Sequence, residues 1–206
     1  MIKKGLFVTF EGLDGCGKTT QINQLKERLI ESGHQVLLTR NPGGTDLGLK
    51  LREIVLHYPD DLSSVSELLL YVADRAQHMK QVILPALESG QVVLCDRHID
   101  STVAYQGYGR GLDIPFIHQL NTVATDGIKP DKTFFLDGDP EILSQRVHTR
   151  GQADRLEREV AAFKERSREG FLTLVSEEPE RFVILDAIKP ADDISEDIWG
   201  VIQPLL

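Results

Sequence analysis

Gly12-Leu13-Asp14-Gly15-Cys16-Gly17-Lys18-Thr19 satisfies the phosphate-loop pattern G-x-x-x-x-G-K-[ST] at every fixed position. The chemistry of such a loop is electrostatic. Glycines let the backbone turn its N–H groups inward around phosphate oxygens, the Lys18 ammonium adds a mobile cation for the terminal phosphates, and the Thr19 hydroxyl is a ligand for Mg²⁺. A nucleoside triphosphate is the implied ligand. The pattern has this meaning only between a strand and a helix. The flanks supply both, since the apolar run Leu6–Phe10 reads as a buried strand and Thr19 to Ile30 as an amphipathic helix.

Three further groupings suit phosphoryl chemistry. Cys95-Asp96-Arg97-His98 ends a second apolar run with a carboxylate beside a guanidinium. Asp96 is placed to complete the Mg²⁺ shell opposite Thr19, and Arg97 to meet a substrate phosphate; the alternative is an ordinary surface ion pair. Arg146 and Arg150 share a helical face by their i, i+4 spacing, and Gly151-Gln152-Ala153-Asp154 interrupts the helix before Arg155 and Arg158. That reads as a hinged, arginine-bearing lid at about 146–158, or else as a solvated helix whose arginines pair with Glu157 and Glu159. Tyr71 and Arg75 lie on one helical face, where a ring stacks on a base and a guanidinium bonds its edge, although helical aromatics more often fill a core. The six histidines show no metal-ligand spacing, and no Gly-x-Ser-x-Gly elbow is present.

These residues need a scaffold, and the apolar pattern predicts one. Strands are expected at Leu6–Phe10, Gln35–Thr39, Val92–Cys95, Thr133–Leu136 and Phe182–Leu185. Helices are expected at Lys18–Ser32, Leu47–Leu56, Ser66–Ser89, Pro115–Thr125, Glu141–Thr149, Glu157–Ser176 and Ala191–Ile202. The alternation is that of an α/β chain with a parallel sheet covered by helices, whose ligands bind at the carboxyl ends of the strands. Asn41-Pro42-Gly43-Gly44 and Gly107-Tyr108-Gly109-Arg110-Gly111 read as glycine-rich loops bordering that edge. Over 206 residues the pattern suits one domain with a real core.

A formal net charge of -9 argues against nonspecific binding to nucleic acid or to an anionic membrane. A polyanionic substrate must then be met by locally concentrated cations. Cys16 and Cys95 lack metal-type spacing and read as reduced thiols, which places the chain in the cytoplasm. The apolar stretch after Lys3-Lys4 is too short for a signal peptide, and no stretch reaches transmembrane length.

With these residues in view, the chain resembles the bacterial thymidylate kinase family over essentially its whole length. Phe10-Glu11-Gly12 through Thr19-Thr20, Thr39-Arg40-Asn41-Pro42-Gly43-Gly44-Thr45, Ala73-Asp74-Arg75-Ala76-Gln77-His78, Asp96-Arg97-His98, Ala104-Tyr105-Gln106-Gly107, and Arg150-Gly151 with Asp154-Arg155 resemble that family's motifs in order. The resemblance implies a P-loop kinase fold with a five-stranded parallel sheet and a mobile lid, transfer of the ATP γ-phosphate to dTMP, a Mg²⁺ requirement and a homodimer. It puts Asp14 on the sugar 3′-hydroxyl of dTMP and Arg97 on its phosphate, with Arg40 and Gln106 nearby. It stacks Tyr71 on thymine, bonds Arg75 to its edge, brings Ser101 or Thr102 toward the base and crowds a ribose 2′-hydroxyl with Tyr105. Arg146 and Asp186-Ala187 would flank adenine. Some members carry the catalytic arginine inside the phosphate loop, where this chain has Gly15, so the resemblance assigns catalysis to Lys18, Arg97 and the lid arginines Arg150 and Arg155. Two positions depart from the family pattern: Asn41 stands where Glu is usual, and Tyr71 where Phe is usual. The competing readings are another nucleoside or nucleotide kinase on the same fold and, in a different class, a nucleotide-gated binding module.

Overall fold

The computed structural model describes residues 5–58, 61–148, 155 and 159–206. Five strands, β1 (Phe7–Glu11), β2 (Val36–Arg40), β3 (Val92–Asp96), β4 (Lys132–Asp137) and β5 (Phe182–Asp186), form one sheet in the order β2-β3-β1-β4-β5. Every pairing is parallel. Residues alternate across the sheet with period two, as a pleated strand requires. Phe7, Val93 and Cys95 enter one apolar cluster with Met79, Ile83 and Leu87, whereas Val8, Phe10 and Leu94 enter the larger cluster on the opposite face. Because both faces are covered, the strands read as nearly unbroken apolar runs.

Helices α1 (Lys18–Glu31), α2 (Asp46–His57), α3 (Ser64–His78), α4 (Leu84–Glu88), α5 (Ile99–Thr102), α6 (Ile114–Thr125), α7 (Pro140–His148), α8 (Ala161–Glu177) and α9 (Ala191–Ile202) complete the described elements. The single helix expected over Ser66–Ser89 is α3 and α4 joined by a π-helical turn, Met79–Ile83. Pro85 in the first turn of α4 accounts for it: proline has no N–H for the i−4 carbonyl and clashes with it, and the wider turn absorbs the mismatch.

The glycine-rich segment after β3 is not a loop through most of its length. Val103–Gly109 is π-helical, continues α5 and is mostly buried. Its glycines serve close packing, Gly107 against Ile114 and Ile117 of α6 and Gly109 against α8. A Cβ on Gly109 would meet the Phe163 ring at 2.6 Å, and one on Gly170 would meet the Tyr108 ring at 2.7 Å. Tyr105 from this segment packs edge-on against Phe171 of α8, with ring centroids 5.9 Å apart.

The sheet order places the site. β1 is followed by a connection to β2 on one side, and β3 by a connection to β4 on the other, so the segments leaving the neighbouring strands β1 and β3 diverge. Such a switch point opens a crevice at the carboxyl edge of the sheet. Phe10 and Asp96 are register partners there, and the Arg97 N–H donates to the Phe10 carbonyl at 3.0 Å.

Candidate active site

The loop from β1 to α1 is built from residues that reach conformations side chains resist. Gly12 has φ 138°, and a Cβ there would lie 2.6 Å from the Leu136 carbonyl oxygen. Gly17, in the left-handed region at φ 96°, caps α1. Lys18 opens that helix, and its Nζ donates to the carbonyls of Gly12 at 3.0 Å and Leu13 at 3.1 Å. The ammonium is thus stretched back across the loop whose N–H groups would hold phosphates.

Four cations, Lys18, Arg40, Arg52 and Arg97, line the cleft over this loop together with Thr19 and Asp96. That concentration resolves how an acidic chain meets a polyanion. Asp96 Oδ1 is buried and has no hydrogen-bond partner. A carboxylate oxygen desolvated without a donor is costly unless a cation or its hydration water completes it, so the Asp96 and Thr19 pair fits Mg²⁺. No group of three or more His, Cys, Asp or Glu among the described residues could hold a metal.

Arg97 joins that cleft to a second one. Its backbone is held at φ 69°, a conformation costly for a residue with a side chain. Nη2 donates to Asp14 Oδ1 at 2.7 Å, and Nη1 donates to the Tyr105 hydroxyl at 3.1 Å and to Ser101 Oγ at 3.3 Å. Burial pushes the Asp14 carboxyl up, but Arg97 and Lys18 together outweigh it and hold the group below the usual aspartate range. Burial pushes the Tyr105 phenol far above its ordinary value despite Arg97, so it stays neutral and donates weakly to the Gly12 carbonyl at 3.3 Å.

The second cleft opens beside the first, and the two share part of their lining. Tyr71, Arg75, Thr102, Tyr105 and Gln106 line it, as do Asp14, Asn41, Arg52 and Arg97, which also face the phosphate cleft. Arg75 is 1% exposed and already committed to four acceptors. Nη1 donates to Asn121 Oδ1 at 2.7 Å; Nη2 donates to Asn41 Oδ1 at 2.8 Å, Thr102 Oγ1 at 2.6 Å and the His98 carbonyl at 2.9 Å. Only its Nε lacks an acceptor, and it is buried. Asn41 explains its own departure from Glu: its amide also donates to Asp74, whose carboxyl burial holds above the usual range. A glutamate could not donate there.

Arg146 Nη1 donates to the Ala187 carbonyl at 2.9 Å, which brings together the two elements expected around adenine. Arg155 Nε donates to the Val55 carbonyl at 2.9 Å, and its Nη2 is paired with the buried Glu67. Arg150, Arg158 and Asp154 lie outside the described residues. Cys16 and Cys95 are both buried and free. No helix among the described residues is long and apolar enough to cross a membrane.

Three residues of the site escape sequence reasoning. Arg52 reaches both clefts and donates to the Pro42 carbonyl at 3.1 Å. Glu11 is wholly buried and accepts from the His98 N–H at 2.7 Å, and from the Ser101 N–H at 3.3 Å and its hydroxyl at 2.5 Å. It therefore holds the turn that carries Arg97. Glu67 is wholly buried too, and a signal for it exists, because it stands one helical turn before Tyr71 on the face that also presents Arg75.

Residues 10–198 match the family model described as thymidylate kinase. The chain is 48% identical over 202 residues to a thymidylate kinase of Deinococcus radiodurans, covering 98% of each, and 47% identical over 203 residues to one of a Thermoanaerobacter species, covering 98% of this chain and all of the relative. Its structure is similar to the crystal structure of thymidylate kinase from Ehrlichia chaffeensis, with TM-score 0.81 and 37% identity over 97% of this chain and 98% of that one. A phosphate-loop cleft and a ring-lined cleft that meet at Arg97 and Asp14, on a sheet of this order, agree with those likenesses, and the chain belongs to the thymidylate kinase family.

Proposed function

We propose how this chain carries out the reaction of its family, transfer of the ATP γ-phosphate to dTMP giving dTDP and ADP. The observation that carries the proposal is the sharing of Asp14, Asn41, Arg52 and Arg97 by the two clefts, which sets a triphosphate and an acceptor phosphate against each other. ATP lies on the phosphate loop from Gly12 to Thr19, with Arg146 and the Ala187 segment beside adenine. Asp14 takes the 3′-hydroxyl of dTMP. Arg97, next to Arg40, holds the acceptor phosphate in line with the γ-phosphate.

Tyr71 stacks on thymine. With the Arg75 Nε–H as donor and the Gln106 amide oxygen as acceptor, the cleft would complement a thymine edge that shows O4 beside N3–H. Ser101 and Thr102 close that side, and Tyr105 excludes a 2′-hydroxyl. Thr19 and Asp96 would hold Mg²⁺, which would offset the charge of the terminal phosphates. No side-chain nucleophile is needed. Lys18 and the lid arginines, Arg150 and Arg155, stabilise the charge that spreads over the transferring group, and Arg155 has to leave Glu67 to do so.

The family resemblance also supports a cytoplasmic homodimer. Apolar side chains exposed on α2, α3 and α6, Leu49, Leu69 and Phe116 among them, are surface that such a partner would cover. An ADP-release assay across the nucleoside monophosphates tests the activity. dTMP should be the fastest acceptor. A faster acceptor would indicate a different nucleotide kinase, and nucleotide binding without phosphorylation of any acceptor would indicate a binding module.

A further inference from the structure

Glu67 contributes nothing to either cleft directly, yet a wall of the acceptor cleft depends on it. Its carboxylate is fully buried and receives four donors from three residues. Gln106 Nε2 donates to Oε1 at 2.6 Å; Arg110 Nε donates to Oε1 at 3.3 Å and its Nη2 to Oε2 at 3.2 Å; Arg155 Nη2 completes Oε2. Arg110 is itself fixed, paired with Glu159 at 2.6 Å and lying over the Phe163 ring at 4.5 Å from its centroid. A side-chain amide has two faces of opposite polarity, and one that meets a carboxylate flanked by guanidinium groups must present its NH₂. The oxygen is then the group Gln106 has left for the cleft it lines.

From this geometry we infer that Glu67 is a positioning residue for base selection, locking the Gln106 amide with its oxygen toward the acceptor base. The inference rests on the assignment of that cleft to a pyrimidine monophosphate. Thymine and uracil carry a donor at N3 and accept an amide oxygen there. Cytosine carries a lone pair at N3, which repels the oxygen and would welcome the NH₂ of a flipped amide. A site whose buried groups are left unpaired by the wrong base discriminates far more strongly than one that senses size. Glu67 thereby converts a symmetric-looking glutamine into a one-way reader.

Calorimetric titration of dTMP and dCMP into the wild type, Glu67→Gln and Gln106→Leu, and into the double variant, tests the idea. Glu67→Gln removes the charge that dictates the amide's orientation. The ratio of dCMP to dTMP dissociation constants should fall at least roughly tenfold, mostly through weaker dTMP binding. In the Gln106→Leu background the same change should leave the ratio unmoved, because there is no amide to orient. A merely structural role would weaken both nucleotides equally and leave the ratio intact in Glu67→Gln, which would overturn the inference. If Glu67→Gln does not fold, Glu67→Asp, which withdraws the carboxylate by one methylene, must lower the ratio for the inference to stand. A wild type that fails to prefer dTMP over dCMP would instead sink the cleft assignment itself.

Discussion

Arg97 Nη2 and Asp14 Oδ1 are 2.7 Å apart, so the cation expected on the acceptor phosphate and the carboxylate expected on the acceptor sugar satisfy each other. On the roles proposed for them, binding dTMP would exchange one partner on each side rather than desolvate two bare charges. Arg97→Ala should weaken binary dTMP binding by about 10- to 100-fold, since a hydrogen bond to a charged group contributes about 1.5–3 kcal/mol net. Lys18→Ala should leave binary dTMP binding nearly unchanged and depress kcat instead, because Lys18 faces the phosphate loop. Calorimetry without ATP beside steady-state kinetics separates the two. Wild-type dTMP affinity in Arg97→Ala would show that Arg97 is structural.

The contact between the π-helical segment and α8 predicts a stability effect far from the chemistry. A methyl at Gly109 would sit 2.6 Å from Phe163 and 2.8 Å from Ser167 Oγ, atoms that are themselves buried. Neither can swing into solvent. Gly109→Ala should cost about 1–3 kcal/mol through overpacking, a fall in Tm of several degrees for a chain of this size. Thermal unfolding that matches the wild type would mean the two elements separate more easily than their packing indicates.

That contact also shows where sequence reading ends. Each strand lies within a residue of its expected bounds because a sheet covered on both faces leaves an apolar run that turns delimit sharply. Gly107 and Gly109 carry the same local signal as a loop, and only their neighbours, Ile114 and Ile117 of α6 for the first and the Phe163 ring of α8 for the second, reveal that they are glycines for closeness, not for turning. In the site, Asp14, Asp96 and Arg97 are legible because motif neighbours share one backbone segment. Glu11 is not, since a carboxylate in a sequence reads as solvated and its burial depends on partners dozens of residues away; for Glu67 the helical spacing from Tyr71 is visible, but its burial is not. The same holds for Arg75: its helical spacing from Tyr71 is visible, whereas the four acceptors that pin its Nη groups come from three other segments.

Base selection by size should be weaker than selection by hydrogen bonding. dUMP differs from dTMP by one methyl, and a buried group of that size supports roughly 10- to 200-fold discrimination in kcat/KM. Tyr71→Ala should weaken both nucleotides together, because stacking acts on either ring. Competition kinetics with equal kcat/KM for dTMP and dUMP, or a Tyr71→Ala enzyme that binds both as the wild type does, would refute the stacked thymine pocket.

The last prediction concerns pH. Burial, reinforced by the Asp100 carboxylate, pushes the Glu11 carboxyl from its ordinary 4.5 up to about 7, against the opposing pull of Arg97 and the hydrogen bonds from Ser101 and His98. A raised acid stabilises the fold only while the proton stays on. Below about pH 4.5 folded and unfolded chains both hold it. As pH rises toward 7 the unfolded chain releases the proton that the fold retains, so stability falls, and above 7 the loss is complete. The total is on the order of 3 kcal/mol. Asp14 and Glu178, held below their ordinary values, act with the opposite sign in acid, so the wild type alone would mix the contributions. Glu11→Gln removes only the first. The Tm of the wild type relative to Glu11→Gln should therefore decline by several degrees between pH 5 and 7 and level off above it. A difference that stays flat across that window, or grows with pH, would mean that Glu11 is ionised in the folded enzyme and that the donors from Ser101 and His98 outweigh its burial.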